Sequence, residues 1–286
     1  MWSNWAGNQS CRPSSLATPM STEHLAEIVT EATALGHRVK AVGSGHSFTD
    51  TACTDGVHLR LDHLSELHHY DASAAQVTVG AGVRLDVLNE LLDSLGLAMP
   101  NLGDIAVQTL AGATATATHG TGKALGNLST MIVGFELITA NGDVFWCDAK
   151  QNAELFEVGR VGLGALGIIT KMRLQCVPAF VLRAQEKVRS LTDIMHNWME
   201  FTESADHAEL FFVPGGDGCF TKQNDRVGQP PNPPSKLKTF IEKELVENGA
   251  LDIAMRIAKR FPGQRDRLAE LFVKAASDRT VVDKSY

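Results

Sequence analysis

A glycine turn at residues 42–47, VGSGHS, is the feature that most constrains what this chain can fold into. It directly follows a predicted helix, which begins after Ser21 as a natural N-cap, and a short strand-like segment. Gly43 and Gly45 lack a Cβ, so the backbone can turn tightly there and approach a ligand closely. The turn ends on His46, whereas a phosphate-binding loop more often continues with lysine or a small residue.

Strands and helices follow each other along residues 1–178 without the regular spacing of βαβ units. Strands are expected at 56–61, 75–82 and 167–177, a helix at 85–97, and a hairpin at 131–147 around Asn-Gly, the strongest short hairpin signal. This pattern predicts the α+β class rather than a doubly wound sheet.

The character of the chain changes near Pro178, which we take as the end of a first domain, so that 179–286 form a second one. In the second domain the sequence predicts the following elements: a strand at 180–189, a helix at 190–204, two strands around ELFFVPGGDGCFTK, a proline-rich connector at 229–235 and a helical tract at 236–260 capped by Ser235. Thr280 to Val282 resemble the start of a strand. We therefore expect that the chain is cut short relative to a full protein.

Composition excludes several classes of function. Hydrophobic residues make up 44% and charged residues 21%, as in soluble globular proteins, and the net charge of −7 argues against a nucleic-acid partner. Five scattered cysteines without a CxxC pair favour neither a zinc site nor a disulfide framework. No apolar run reaches membrane-spanning length and no secretory signal is recognisable. These features predict a cytoplasmic protein, with peripheral membrane association as the open alternative.

A second glycine signal, GLGALG at 162–167, matches the letters of the dinucleotide-binding fingerprint G-x-G-x-x-G. That fingerprint requires a strand before it and a helix after it. Here AELFEVGRV before it is predicted as a helix and IITKMRL after it as a strand. The order favours a tight turn between helix and strand over a Rossmann nucleotide site.

A third segment, NLGDIAVQTLAGATATATHGTG at 101–122, is dominated by small residues, with threonine and alanine alternating. It fits a buried strand and, equally, a surface on which threonine hydroxyls and backbone N–H groups meet a phosphate chain. His119 fits a hydrogen-bonded core histidine. His46 is interpreted either as an ordinary turn residue or as an imidazole that acts beside a cofactor. A metal-ligand role is disfavoured because no partners occur at ligand spacing, and a catalytic triad because no G-x-S-x-G serine motif occurs.

Six motifs in this order carry a resemblance to a known family. They are NWAGNQ, RVKAVGSGHSFTD, VTVGAGVRL, GLAMPNLGDI, AGATATATHGTG and GLGALGIIT. Together they resemble the FAD-binding domain of the vanillyl-alcohol-oxidase superfamily. Within that superfamily, the segments TACTDG and LQCVPAF resemble those of the sugar-lactone oxidases. The resemblance implies a PCMH-type FAD-binding domain of two subdomains at 1–178, followed at 179–286 by part of an α+β substrate (cap) domain.

The resemblance also implies which residues hold FAD. The glycine turn would wrap the pyrophosphate, and His46 would be the residue covalently attached to the flavin 8α-methyl. Neutral imidazole is a competent nucleophile near neutral pH. The remaining cofactor-binding residues implied are Ala41, Val42, Gly43, Ser44, Gly45 and Ser47 in the turn, Asp104 near the isoalloxazine ring, Thr109, Gly112, Thr116, Thr118 and His119 in the small-residue segment, and Gly167 and Ile168 beside the adenine.

The reaction implied is oxidation of the C2 hydroxyl of an aldono-1,4-lactone (gulono-, galactono- or arabinono-lactone), giving ascorbate or an ascorbate-like product. Hydride would pass to flavin N5, and oxygen or an electron carrier would reoxidise the flavin. In the family a His-Trp-x-Lys segment of the substrate domain assists proton removal, and no His-Trp dipeptide occurs in these 286 residues. The general base is therefore expected outside them, and no catalytic residue is assigned. An alditol oxidase and a non-catalytic FAD-binding fragment are the alternatives.

Overall fold

A computed structural model of the chain describes residues 1–212, 214, 216–235, 249–275 and 277–286. The chain forms two compact units. The first unit contains 1–120 and 126–179, and the second contains 121–125 and 180–286.

The first unit alternates short strands with four helices among its described residues. Its elements are β1 Trp2–Ser3, β2 Ser10–Cys11, β3 Ser15–Ala17, α1 Thr22–Ala34, β4 Val39–Val42, β5 Val57–Arg60, β6 Leu67–Asp71, β7 Gln76–Gly80, α2 Leu85–Ser94, β8 Leu97–Ala98, α3 Leu110–Ala115, β9 Ile132–Ile138, β10 Val144–Asp148, α4 Ala153–Gly159, β11 Ile168–Gln175 and β12 Val177–Pro178. Single 3-10 turns cover Asp50–Ala52 and Leu128–Met131.

Helix α1 forms where the sequence predicts it. The Ser21 side chain accepts a hydrogen bond from the backbone N–H of His24 at 3.2 Å, which caps the first turn. Leu25, Val29 and Ala32 lie one turn apart and are buried.

Two sheets build the first unit. Strands β3, β5 and β4 form a parallel sheet with β5 in the centre. Strands β10, β9, β11, β7 and β6 form, in this order, an antiparallel sheet. The predicted hairpin is confirmed, since β9 and β10 pair across the turn at Asn141 and Gly142.

Each sheet has its own buried core. Strands β7, β9 and β11 pack with α2 and α3 around Phe135, Leu88 and Leu110, which are fully buried. The parallel sheet packs against α1 through Leu25 and Leu59. This arrangement corresponds to the two subdomains implied by the resemblance.

The second unit centres on one antiparallel sheet in the order β14-β15-β13-β16. Its elements are β13 Val181–Ser190, α5 Leu191–His196, α6 Trp198–Glu203, β14 His207–Phe212, β15 Gly218–Val227, α7 Gly249–Arg260, α8 Arg265–Ala275 and β16 Arg279–Lys284, with a 3-10 turn at Pro262–Gln264. The strand predicted at 280–282 is confirmed as β16, which pairs with β13.

One element prediction in the second unit is wrong. The sequence predicts a single helix over 190–204, but Asn197 breaks it into α5 and α6 with φ −112° and ψ 32°. The Asn197 side chain donates to the carbonyl of Asp193 at 3.0 Å, a local bond that competes with helix continuation. Of the helical tract predicted at 236–260, residues 236–248 lie outside the described residues, and α7 confirms the remainder.

The α+β prediction is confirmed, because helices and mostly antiparallel strands mix without regular βαβ units. Among the residues that the structure describes, no helix is long and apolar enough to cross a membrane.

Candidate functional site

A cleft in the first unit gathers three segments that are distant in sequence. They are 40–47 at the end of β4, 108–116 around α3, and 159–169 between α4 and β11. Its empty volume is about 1120 Å³, including the solvent at its mouth.

The glycine turn forms one wall because its backbone lies directly against α3. A Cβ on Gly43 would lie 2.3 Å from Oγ1 of Thr109 and 3.6 Å from the Cα of Gly112. A side chain at 43 would fit only if Thr109 or the wall moved, so glycine is the residue that this close packing favours. Ser44 extends the contact by donating its hydroxyl to the carbonyl of Val107 at 2.5 Å.

The N-terminal segment holds the outer side of the turn. The backbone N–H of Trp5 donates to the carbonyl of Gly45 at 2.8 Å, and the Asn4 side chain donates to the carbonyl of Ser47 at 2.9 Å. These bonds lie on both sides of His46 in the sequence. They fix the backbone on which the imidazole is mounted.

The His46 side chain lines the cleft and stacks on an indole. Its ring centroid lies 5.2 Å from that of Trp5 at an interplanar angle of 21°. The imidazole is therefore oriented by packing as well as by the turn.

The second wall is the short helix α3. Oγ1 of Thr109 accepts from the backbone N–H of Gly112 at 3.3 Å and caps the helix. Thr116 bonds back to the carbonyl of Gly112 at 3.0 Å. Thr114 is fully buried and donates to the carbonyl of Leu110 at 3.0 Å. The segment is therefore a helix with one face in the core and one in the cleft, and the buried-strand alternative is wrong.

The third wall contains GLGALG. Helix α4 precedes it and strand β11 follows it, so the interpretation as a turn rather than a Rossmann loop is confirmed. A Cβ on Gly167, at φ +146°, would lie 2.2 Å from the carbonyl oxygen of Ile138, which requires glycine there. The backbone N–H of Leu163 donates to the carbonyl of Ala115 at 3.3 Å and joins this wall to α3.

Charge in the cleft is one-sided. Among the described residues that line it, Lys40 is the one lysine or arginine and no aspartate or glutamate occurs. Burial lowers the pKa of Lys40, whose ammonium donates to the carbonyl of Leu163 at 2.9 Å. In a chain of net charge −7, such a cleft is suited to an anionic ligand.

The structure brings most of the sequence-predicted site residues together. The cleft is lined by Ala41, Val42, Gly43, Ser44, Gly45, His46, Ser47, Thr109, Gly112, Thr116, Gly167 and Ile168. Three predicted residues do not line it, namely Asp104, Thr118 and His119.

The chain turns away from the cleft after Thr116. Ala117 has a left-handed conformation at φ +54°, beyond which the backbone at His119 packs against Gly103, where a Cβ would lie 3.0 Å from the His119 carbonyl oxygen. Thr118 instead accepts from the Gln108 side chain at 3.3 Å. Sequence reasoning assigned no role to Lys40 and Gln108, although both lie in quoted segments, because nothing in the pattern shows which side chains reach the cleft.

FAD fits these residues. Glycines on all three walls leave little side-chain bulk there, so the flat and extended parts of the dinucleotide can approach the backbone. The absence of acidic side chains among the described lining residues suits its diphosphate. His46 lines the same cleft, and its imidazole ring stacks on Trp5.

Comparisons with known proteins agree with this fit. The family model for the FAD binding domain matches residues 13–148, and that for D-arabinono-1,4-lactone oxidase matches residues 172–286. The whole chain is 39% identical to an L-gulono-1,4-lactone dehydrogenase of Mycobacterium tuberculosis and spans 66% of that protein. Over 227 residues, 79% of the chain, it is 37% identical to the L-gulonolactone oxidase of Scyliorhinus torazame and spans 52% of it.

A solved structure shows the same fold. The chain superposes on cholesterol oxidase from B. sterolicum with a TM-score of 0.75 at 18% sequence identity, covering 99% of this chain and 60% of that one. With the match to the FAD binding domain, this similarity confirms the PCMH-type FAD-binding fold.

Proposed function

The chain belongs to the FAD-dependent sugar-lactone oxidases and dehydrogenases, and on that premise we propose that it oxidises the C2 hydroxyl of an aldono-1,4-lactone. The cleft supports this proposal most directly, because it is glycine-lined, free of acidic side chains among its described residues, and continuous with the predicted flavin-linking histidine. Bound FAD supplies the hydride acceptor for such an oxidation.

Different segments of the chain would contact different parts of FAD. The turn from Ala41 to Ser47 would wrap the diphosphate with backbone N–H groups, while Thr109, Gly112 and Thr116 would form the opposite wall. Gly167 and Ile168 would contact the adenine through the backbone. Asp104, Thr118 and His119 do not line the cleft, and we keep them as proposed FAD-binding residues, with Asp104 near the isoalloxazine ring.

We propose a covalent bond between His46 and the flavin 8α-methyl. The support is positional: the imidazole lines the cleft and stacking on Trp5 holds it. Acid precipitation of the purified chain tests the bond, and we expect the yellow chromophore in the pellet. His46→Ala should leave any bound FAD extractable. Yellow colour released from the wild-type chain into the supernatant would contradict the covalent bond while keeping the FAD site.

We propose residues 1–178 as the FAD-binding domain and 179–286 as part of a substrate domain. The chain spans 66% of the mycobacterial relative and about half of the shark enzyme. We assign no general base within these residues. The substrate is proposed as gulono-, galactono- or arabinono-lactone, the product as ascorbate or a relative, and the electron acceptor as oxygen or an electron carrier.

Anaerobic reduction of bound flavin separates the candidate reactions. The purified chain is mixed with each lactone or with an alditol, and bleaching of the flavin absorbance is recorded. Bleaching by a lactone and not by an alditol is the expected result. Bleaching by alditols alone would indicate an alditol oxidase, and a yellow protein bleached by neither would indicate FAD binding without catalysis.

We also propose that the protein acts in the cytoplasm. All five cysteines are free thiols in the structure, and three of them are buried. Unpaired thiols suit a reducing compartment.

A further inference from the structure

Lys40 occupies a position in the cleft that neither the motifs nor the relatives' names assign. It lies on β4, three residues before Gly43, and its side chain enters the cleft. Its ammonium donates to the carbonyl of Leu163 at 2.9 Å, and a Cβ on Gly164 would lie 3.6 Å from the same nitrogen. The lysine therefore joins β4, which leads into the first wall, to the third wall.

This ammonium has no carboxylate to balance it among the described residues that line the cleft. Two other part-buried lysines are paired with carboxylates: Lys171 with Glu136 at 2.9 Å, and Lys222 with Glu209 at 3.2 Å. Burial lowers the pKa of Lys40, and no opposing charge offsets the loss of solvent. A half-buried cation with only a neutral carbonyl partner costs folding free energy unless an anion joins it.

The ligand proposed for this cleft carries the missing charge. The diphosphate of FAD is anionic, and no lysine or arginine occurs in the turn 41–47 that lines the cleft. Charge-assisted hydrogen bonds to phosphate are about twice as strong as neutral ones. A lysine ammonium is a compact charge on a flexible stem, suited to phosphate oxygens.

We propose that Lys40 binds the diphosphate of FAD and supplies the positive charge that the glycine turn lacks. The proposal rests on the FAD site proposed above and adds a residue to it. The glycine turn then provides shape and Lys40 provides charge. The bond to Leu163 holds the ammonium in the cleft and fastens the third wall to β4.

The competing role for Lys40 is to fasten the 162–167 loop alone. Leu163 has a left-handed backbone at φ +50°, which an anchored carbonyl helps to maintain. Glutamine separates the two roles, because its amide can still donate to the Leu163 carbonyl but carries no charge. Arginine keeps the charge.

The experiment measures FAD dissociation constants by flavin fluorescence on the full chain. All variants carry His46→Ala, so that a covalent bond cannot mask the affinity. Lys40→Gln, Lys40→Arg and the exposed control Lys150→Gln are compared with the His46→Ala parent at several salt concentrations. Circular dichroism and thermal melts establish that each variant is folded.

We expect Lys40→Gln to weaken FAD binding about tenfold to a hundredfold, the range for a hydrogen bond to a charged group. Its salt dependence should be shallower than that of the parent, because one screened charge is gone. Lys40→Arg should restore most of the affinity, and Lys150→Gln should change nothing.

Two results would overturn the role of Lys40 in binding FAD. One is an affinity of Lys40→Gln within twofold of the parent with the same salt dependence. The other is weakened FAD binding by Lys40→Gln that keeps the full salt dependence and that Lys40→Arg does not restore. In that case Lys40 would act only by anchoring the 162–167 loop. A failure of the proposed FAD site is distinguishable, because the wild-type chain and the parent would then both lack flavin.

Discussion

Gly43→Ala is the substitution for which the structure gives the sharpest expectation. The new Cβ would lie 2.3 Å from Oγ1 of Thr109, and this distance must grow to at least 3.0 Å, so one wall of the cleft has to move by about 0.7 Å. Thr109 can rotate away, which breaks its cap on the N–H of Gly112 and costs about 0.5–2 kcal/mol. Alternatively the turn and α3 separate, an overpacking cost of about 1–3 kcal/mol.

Depending on the route, the first unit is destabilised by about 0.5–3 kcal/mol. For a unit of this size, the melting temperature should fall by roughly 2–4 °C per kcal/mol. Because bound FAD adds stability, all variants are compared at the same saturating FAD concentration. Gly228→Ala is the matched control, since a Cβ there meets nothing within 4 Å. We expect its free energy of unfolding to stay within about 0.5 kcal/mol of wild type.

A double-mutant cycle with Thr109→Ala tests the reasoning itself. Thr109→Ala removes the cap and also the oxygen that the new Cβ would strike. The double variant should therefore be about 1 kcal/mol more stable than the sum of the single changes predicts. Additive free energies of unfolding, within about 0.5 kcal/mol, would refute the claim that Gly43 and Thr109 compete for the same space.

Two further predictions concern titratable groups away from the cleft. The Glu136 carboxylate accepts from Thr22, Thr170 and Lys171 at 3.0, 2.7 and 3.0 Å; burial raises its pKa, but these bonds outweigh burial and hold the pKa below its usual value. Glu136→Gln should therefore lower the free energy of unfolding by about 1–2 kcal/mol at pH 7. In urea titrations, the difference in free energy of unfolding between wild type and variant should disappear as the pH falls below about 4.5, because the wild-type carboxylate is then protonated. Burial raises the pKa of Cys176 to about 11, so iodoacetamide at pH 8 should alkylate it only in unfolded protein, as mass spectrometry can check; alkylation of the folded chain would contradict the buried position.

Local signals explain why part of the fold could be predicted from sequence. Ser21 and the apolar spacing after it determine α1, because capping and periodicity act within one helix. Asn141-Gly142 determines the β9–β10 hairpin through turn geometry. The order of helix and strand around 162–167 is enough to reject a Rossmann loop. Each of these inferences depends on neighbours in the sequence.

The remaining features depend on contacts between distant segments. The small-residue segment at 101–122 could not be resolved into a helix and a turn, because Ala117 adopts its left-handed conformation without a glycine or asparagine signal. Thr118 and His119 follow that turn away from the cleft. Lys40 enters the cleft only because the loop at Leu163 folds back over β4, a contact across 123 positions. No pattern within one segment contains that information.

The central claim is that the cleft holds FAD through His46, and peptide mapping tests it most directly. Trypsin should release residues 41–60 as one peptide, because this stretch contains no internal lysine or arginine. That peptide carries two histidines: His46 lines the cleft, whereas His58 is buried and bonded to the carbonyl of Ala52 at 3.0 Å. Tandem mass spectrometry of the yellow peptide should place the flavin on His46. Flavin on another residue, or an unmodified peptide from a chain that carries flavin, would contradict the claim.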